Sequence, residues 1–273
     1  MSVVQGENGN VYHAIDEKNN VLGKGWIYAS KPSDIYTYSR LDIFIEMEIY
    51  EKKHNTQIKD SIFDTLMAEA NKIKSENPDQ VVRVYNCCFS NDIESINYYC
   101  SKEGFVHDEG MHIIGLQMGT EPYMVNCKND EIHYVSLPLN SDNEITRLID
   151  VHKNVFRSGY SIEMIKELKQ KKGWKSIAAT YNGEIVGNIM LWVNEEDPNA
   201  PYGWVEDLFV LNDWRKKGIA KELITRGLAH FQELPVLEVK IEVWSANERA
   251  MKLYKEFGFE FQKETESSIG MFL

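Results

Sequence analysis

The sequence predicts an α/β protein built from mixed sheets flanked by helices. Three observations carry that expectation. Asn182-Gly183 separates two apolar runs, a strong short-range hairpin signal. Leu237, Val239, Ile241 and Val243 alternate with Glu238, Lys240, Glu242 and Trp244, as in a half-buried strand. Between these two signals, Ile219, Leu223, Gly227, Leu228 and Phe231 recur at helical spacing after Gly218. A hairpin, then a strand, a helix and another strand read as one mixed sheet with a crossover.

The elements of the C-terminal half follow in order. Residues 131–137 read as an opening strand. Residues 141–156 read as a helix, with Ile145, Leu148, Ile149 and Val155 on one face. Residues 161–171 read as a second helix, with Ser161 as its N-cap and Gly173 as its stop. The hairpin strands are 175–181 and 184–193, and residues 204–211 form the next strand. The helix from Gly218 ends at Pro235. The strand 237–244 and a short helix over 248–257 come next, the latter stopped by Gly258. Residues 259–273 leave room for one or two closing strands.

The N-terminal half reads as an altered copy. A hairpin pattern covers 12–29, a strand 41–50 and a strand 81–89. Ile62, Phe63, Leu66, Met67 and Ala70 trace a helix face. A further helix over 93–99 ends before Gly104-Phe105, as the later one ends before Gly258-Phe259. Asn91 precedes the first and Asn247 the second. A shared order of elements predicts internal duplication. The boundary is expected in the polar stretch 119–130, giving domains 1–125 and 126–273. The first copy is expected to lack the opening strand and two helices.

Composition narrows the function. Lys plus Arg number 30 against 42 Asp plus Glu, a net charge of −12. An acidic chain without a basic tract repels phosphate backbones, so no nucleic-acid partner is expected. No apolar run approaches the roughly 20 residues that span a bilayer, and the first residues lack a basic and apolar leader pattern. No membrane association and a cytoplasmic location are therefore expected. Cys87, Cys88, Cys100 and Cys127 form no CxxC pair, and no His pair has ligand spacing, so neither a disulfide framework nor a metal site is expected.

The sharpest chemistry lies between residues 205 and 220. A strand ends near Val210, and the turn Arg215-Lys216-Lys217-Gly218-Ile219-Ala220 opens an amphipathic helix. Free N–H groups of a first helical turn attract an anion. Three basic side chains gather there in an otherwise acidic protein, which suits a pyrophosphate. Taken alone, the segment reads equally well as a solvated basic turn with Gly218 serving chain reversal.

Further pieces then follow in sequence: Asn247, Leu253-Tyr254 and Gly258-Phe259. With Arg215, Gly218 and Ala220, they resemble the pattern of the GNAT (GCN5-related N-acetyltransferase) superfamily. The resemblance covers residues 131–273 well and 12–118 weakly. It implies two GNAT-like domains, each a mixed, mostly antiparallel sheet flanked by helices, the first degenerate. It implies acetyl-CoA as co-substrate. The backbone of Arg215, Lys216, Lys217, Gly218, Ile219 and Ala220 would cradle the pyrophosphate. The backbone of Leu208, Phe209 and Val210 would pair with the pantetheine arm and hold the acetyl carbonyl, where oriented donors stabilise developing charge. Asn247 would bind the same arm, and the Tyr254 hydroxyl would protonate the departing thiolate. Two neighbouring strands would splay to admit the cofactor.

The implied reaction is direct acetyl transfer to a primary amine of a small molecule or peptide in a ternary complex. Glu206 is the candidate base or amine-binding residue. Glu206 and Asp207 are expected to alternate across the strand, so that only one faces the acetyl site. Three other readings stay open: an acyl-CoA sensor without turnover, an enzyme using longer acyl chains, and an interaction scaffold. The first copy departs from the pattern in the segment matched to the phosphate turn, residues 55–61. That segment has no Gly, and it carries Asp60, so no CoA is expected there. The acceptor amine and the oligomeric state have no readable code.

Overall fold

The computed structural model describes residues 1–32, 35–36, 38–51, 54–121, 123, 131–156 and 159–273. The chain forms two units, Met1–Met111 with Glu264–Leu273, and His112–Lys263. This division differs from the expected one. Most of the stretch around 125/126 lies outside the described residues. The division falls instead inside two long strands, β6 (Val106–Gln117) and β12 (Glu260–Phe272). The closing segment is thus a single strand, most of which belongs to unit 1.

Unit 2 holds the elements read from the C-terminal half. They are β7 (His133–Ser136), α3 (Asp142–Lys153), α4 (Ile162–Leu168), β8 (Lys175–Tyr181), β9 (Glu184–Asn194), β10 (Tyr202–Val210), α5 (Ile219–Gln232), β11 (Glu238–Trp244) and α6 (Glu248–Glu256). Ser141 and Glu144 form a reciprocal capping box at the start of α3, and Ser161 caps α4 through the Met164 N–H. Asn182 and Gly183 both take positive φ, 48° and 81°, which the tight β8–β9 turn requires. Strands are ordered β6-β11-β10-β9-β8-β7; β10 pairs parallel with β11, and β10–β9, β9–β8 and β8–β7 pair antiparallel.

Two apolar clusters sandwich this sheet. Leu223, Leu228 and Phe231 of α5 pack with Leu191, Val205, Val239 and Ile241. Ile145, Leu148 and Ile149 of α3 and Ile165 of α4 pack with Ala178, Met190 and Phe209. Alternating strand residues therefore meet helices on opposite faces.

Unit 1 repeats the order. It has β1 (Ser2–Gln5), β2 (Val11–Ile15), β3 (Val21–Ser30), β4 (Arg40–Ile49), α1 (Asn55–Glu76), β5 (Val81–Phe89) and α2 (Ile93–Cys100). Strands β2, β3 and β4 pair antiparallel, and β4 pairs parallel with β5 across α1. The same succession runs through β8, β9, β10, α5 and β11. Contrary to expectation, unit 1 has an opening strand: β1 pairs antiparallel with β2, as β7 does with β8. A short turn at residues 6–10 joins β1 to β2, where unit 2 inserts α3 and α4. Buried residues of α1 and α2 share one cluster with Ile43, Ile45, Val82 and Val84.

Candidate active site

Strand β10 and its two neighbours build the site. The parallel pairing of β10 with β11 covers only Gly203↔Val239, Trp204↔Lys240 and Val205↔Ile241. Strand β10 runs on to Val210 and β11 to Trp244, but past Val205↔Ile241 the two do not pair with each other. The two strands therefore part after Val205. Beyond Val205 the β11-side edge of β10 has no ladder partner in β11; the Val210 carbonyl there is taken by Arg215, and the edge before it is open to a ligand. The two strands thus splay alongside residues 206–210 of β10.

On its other edge β10 pairs with β9, and the register shifts between Val205 and Asp207. Glu206 is the extra residue of a β-bulge. This overturns the expectation that Glu206 and Asp207 face opposite sides. Both carboxylates point toward α3 and its side of the sheet. The Trp192 indole N–H donates to Glu206 Oε2 at 2.8 Å. Asp207 Oδ2 lies 3.4 Å from His152 Nε2 on α3. Beyond the bulge, Phe209 joins the α3 cluster, whereas Leu208 and Val210 join the α5 cluster.

The turn after β10 contains a single 3-10 turn (Asn212–Trp214) and then leads into α5. The Arg215 Nε–H donates to the Val210 carbonyl at 3.2 Å, tying the turn to the strand end. Lys216 and Gly218 both hold left-handed backbone, φ 61° and 83°. Such alternation curls successive N–H groups into a concave, anion-accepting nest. A Cβ built on Gly218 would meet nothing within 4 Å, so the space before the helix is open. No side chain caps α5. Its first-turn amides, Ile219 and Ala220 among them, find no acceptor among the described residues, as helix geometry leaves them. Lys217 Nζ sits 4.3 Å from the Trp214 ring centroid, and Trp214 packs on Tyr181 at 4.6 Å. Open space, helix-end donors and positive charge therefore meet at one place.

Tyr254 lies on α6, 5% exposed, with its ring 5.6 Å from Phe259. Burial pushes its phenol well above the ordinary range, and the charge of Asp207 adds to the rise. A phenol so placed stays protonated at neutral pH, so its O–H is available to donate. Asn247 is the N-cap of α6, and its Oδ1 accepts the Ala250 N–H at 3.2 Å. That oxygen has a structural task, and the Nδ2 group is the part free to serve a ligand.

Three residues that composition and spacing did not single out join the carboxylates: His152, Tyr160 and Trp192. His152 is 5% exposed, with ring centroids of Phe156, Tyr160 and Phe209 at 4.7, 5.1 and 5.6 Å. Burial raises the Tyr160 phenol, with Asp207 and Glu206 reinforcing the shift. Burial also raises the Asp207 carboxyl, with His152 opposing it. One signal was readable: His152 follows Ile145 by seven residues and Leu148 by four, on the apolar face of α3. For Trp192 and Tyr160 no spacing pointed to the site.

The corresponding place in unit 1 is built differently. Five parallel pairs join β4 to β5, from Arg40↔Val81 to Phe44↔Tyr85. Where the strands would next part, buried Asn86 donates from Nδ2 to the Ile45 carbonyl at 2.8 Å. The segment 55–61, matched from sequence to the phosphate turn, is instead the opening of α1. His54, with φ 62°, takes the N-cap place that Gly218 has in unit 2. Asp60 is engaged by the Lys102 ammonium and, at 3.1 Å, by the Tyr98 hydroxyl. Tyr99 is raised by burial and by Glu46, much as Tyr254 is by burial and Asp207.

Part of the chain is similar to known acetyltransferases. Residues 145–259 match the family described as "Acetyltransferase (GNAT) family". The spermine/spermidine N(1)-acetyltransferase of Bacillus subtilis (strain 168) is 25% identical over 132 residues, 45% of this chain and 86% of that protein. The N-terminal acetyltransferase A complex catalytic subunit NAA10 of Arabidopsis thaliana is 36% identical over 81 residues, 29% of this chain and 42% of that protein. Among solved structures, a GCN5-related N-acetyltransferase from Sphaerobacter thermophilus has a TM-score of 0.51 at 14% identity. The match covers 96% of this chain and 80% of that one and is a likeness of fold. Residues 145–259, from within α3 to just past α6, are thus the part of this chain that is similar to the GNAT acetyltransferases.

Proposed function

We propose that unit 2 transfers the acetyl group of acetyl-CoA to a primary amine of a small molecule or peptide, by direct attack in a ternary complex. The observation that carries this reading is the parting of β10 from β11 beside an uncapped helix led by Gly218. Acetyl-CoA supplies an activated acetyl thioester. The residues present fit it: the main chain at 215–220 offers donors for a diphosphate, the open edge at 208–209 offers groups for an amide-bearing arm and an acetyl carbonyl, and Asn247 Nδ2 lies at the head of α6. Glu206, held by Trp192, meets the amine and takes up its proton. Tyr254 donates its phenolic proton to the departing sulfur.

Unit 1 reads as a degenerate copy that binds no CoA. The shared order of elements supports duplication, and the Asn86 bridge supports the loss of the slot. Acidic composition and the free thiols of Cys87, Cys88 and Cys100 suit a cytoplasmic enzyme.

The test is a panel of spermidine, an aminoglycoside and a short peptide with a free N-terminus, each incubated with acetyl-CoA while free thiol is measured. Thiol release that needs both an amine and intact Tyr254 supports the reading. Acetyl-CoA binding without turnover on any amine would favour the sensor reading, and no binding would leave the scaffold.

A further inference from the structure

Strand β10 carries a row of aromatic rings that leads up to Glu206. Tyr202, Trp204 and Glu206 are alternate residues, and Trp204 pairs across the ladder with Trp192 of β9. Ring centroids of Tyr202 and Trp204 lie 6.3 Å apart, and those of Trp204 and Trp192 lie 6.2 Å apart. All three rings are half-buried. The row ends at the carboxylate of Glu206, which accepts the Trp192 indole N–H at 2.8 Å.

Two rings of this row carry a cation from the chain itself. Lys171 Nζ sits 3.2 Å from the Trp192 ring centroid, and Lys240 Nζ sits 4.3 Å from that of Tyr202. Glu238 steadies Lys240 at 3.1 Å. Trp204 lies between the two, and among the described residues no ammonium or guanidinium lies over its ring. Aromatic faces attract ammonium groups through the ring quadrupole, and indole does so most strongly. The turn from β9 to β10, at the Tyr202 end of the row, adds Glu195, Glu196 and Asp197, and Glu195 holds the Lys172 ammonium at 2.6 Å. Ammonium groups are therefore what these faces and carboxylates gather. A strand rises roughly 3.3 Å per residue, so the two steps from Trp204 to Glu206 cover roughly 7 Å. A short aliphatic chain with an amino group at each end spans such a distance.

We propose that Trp204 is a specificity-determining residue of the acceptor site, its ring receiving a second positive charge of the acceptor while Glu206 meets the reacting amine. The acceptor is then a short aliphatic diamine or polyamine rather than a monoamine or a peptide N-terminus. The inference rests on the acetyl-transfer reading above and adds no chemical step to it.

The test compares putrescine with butylamine on the full chain, with acetyl-CoA present and free thiol measured. In wild type, kcat/KM for putrescine should exceed that for butylamine roughly 10-fold. Trp204→Leu should bring the ratio to within threefold of one, and Trp204→Phe, which keeps a ring, should hold it above the Trp204→Leu value. A wild-type ratio within threefold of one, or a ratio that Trp204→Leu leaves unchanged, would overturn the proposal while acetyl transfer stood. A second comparison needs no variant to fold. Putrescine trimethylated at one end keeps a charge that donates no hydrogen bond, and its analogue with carbon in place of that nitrogen is neutral. An aromatic face takes the quaternary group, so the charged member should be preferred roughly 10-fold. Equal turnover of the two would overturn the assignment. Should no amine release thiol, the acetyl-transfer reading fails. Isothermal titration of the same trimethylated and neutral pair then decides the Trp204 site, tighter binding of the charged member supporting it and equal affinity overturning it.

Discussion

Replacing Gly218 by Glu separates binding from folding unusually cleanly. A Cβ at this position meets nothing within 4 Å, so the substitution creates no clash within the protein. Its cost to folding comes from the backbone, since φ is 83°. A side chain in the left-handed region costs roughly 1–2 kcal/mol. At roughly 2–4 °C of Tm per kcal/mol for a chain of this size, Tm falls by roughly 2–8 °C. Acetyl-CoA binding should suffer more. The new carboxylate occupies the open space before the helix and places negative charge where the dipole favours a phosphate, an interaction worth up to about 2 kcal/mol. It also displaces at least one charge-assisted N–H contact, worth about 1.5–3 kcal/mol. A combined loss near 3 kcal/mol raises Kd about 150-fold. Isothermal titration with acetyl-CoA reads the affinity, and thermal unfolding without ligand reads the folding cost. Gly218→Ala is the control: it carries the same strain without the charge, so it should bind far better than Gly218→Glu. An affinity for Gly218→Glu within threefold of wild type would refute the reasoning.

Three further outcomes follow from particular contacts. Tyr254→Phe should cut kcat about 100-fold with acetyl-CoA affinity unchanged, because the ring contact with Phe259 survives; steady-state kinetics beside titration checks both. Asn86→Ala leaves the Ile45 carbonyl unpaired in unit 1 and should cost about 1–3 kcal/mol in urea unfolding, with no change in acetyl-CoA Kd if that unit binds none. Burial pushes the Cys87 and Cys88 thiols up to about 12 and about 11. At pH 8 only about one in ten thousand and one in a thousand would be thiolate. Both should therefore resist alkylation in the native protein, reacting only as pH rises toward those values, and peptide mass spectrometry after iodoacetamide reads this directly.

Much of unit 2 was legible because its signals are local. The Asn182-Gly183 turn, the Ser141 and Ser161 caps and the stripe after Gly218 each act over a few residues, and each element formed where its signal stood. The site was less legible because its decisive features are matters of register. A bulge shifts every later side chain of β10, and no residue type around Glu206 announces it. Glu206 and Asp207 therefore read as facing opposite sides, and His152 was not singled out among the seven histidines. The early part of unit 1 was misread for a related reason. The short strand β1 is mostly exposed and has no apolar alternation to betray it. The phosphate-turn counterpart was placed too late because His54, not a glycine, adopts the left-handed N-cap there.

The claim that the parted strands and the Gly218 turn together receive acetyl-CoA is tested most directly by amide hydrogen exchange with and without that ligand. The account predicts slowed exchange across 206–210 and 216–221 and none across 54–60. Protection at the start of α1, or exchange unchanged at 216–221 under saturating acetyl-CoA, would contradict it.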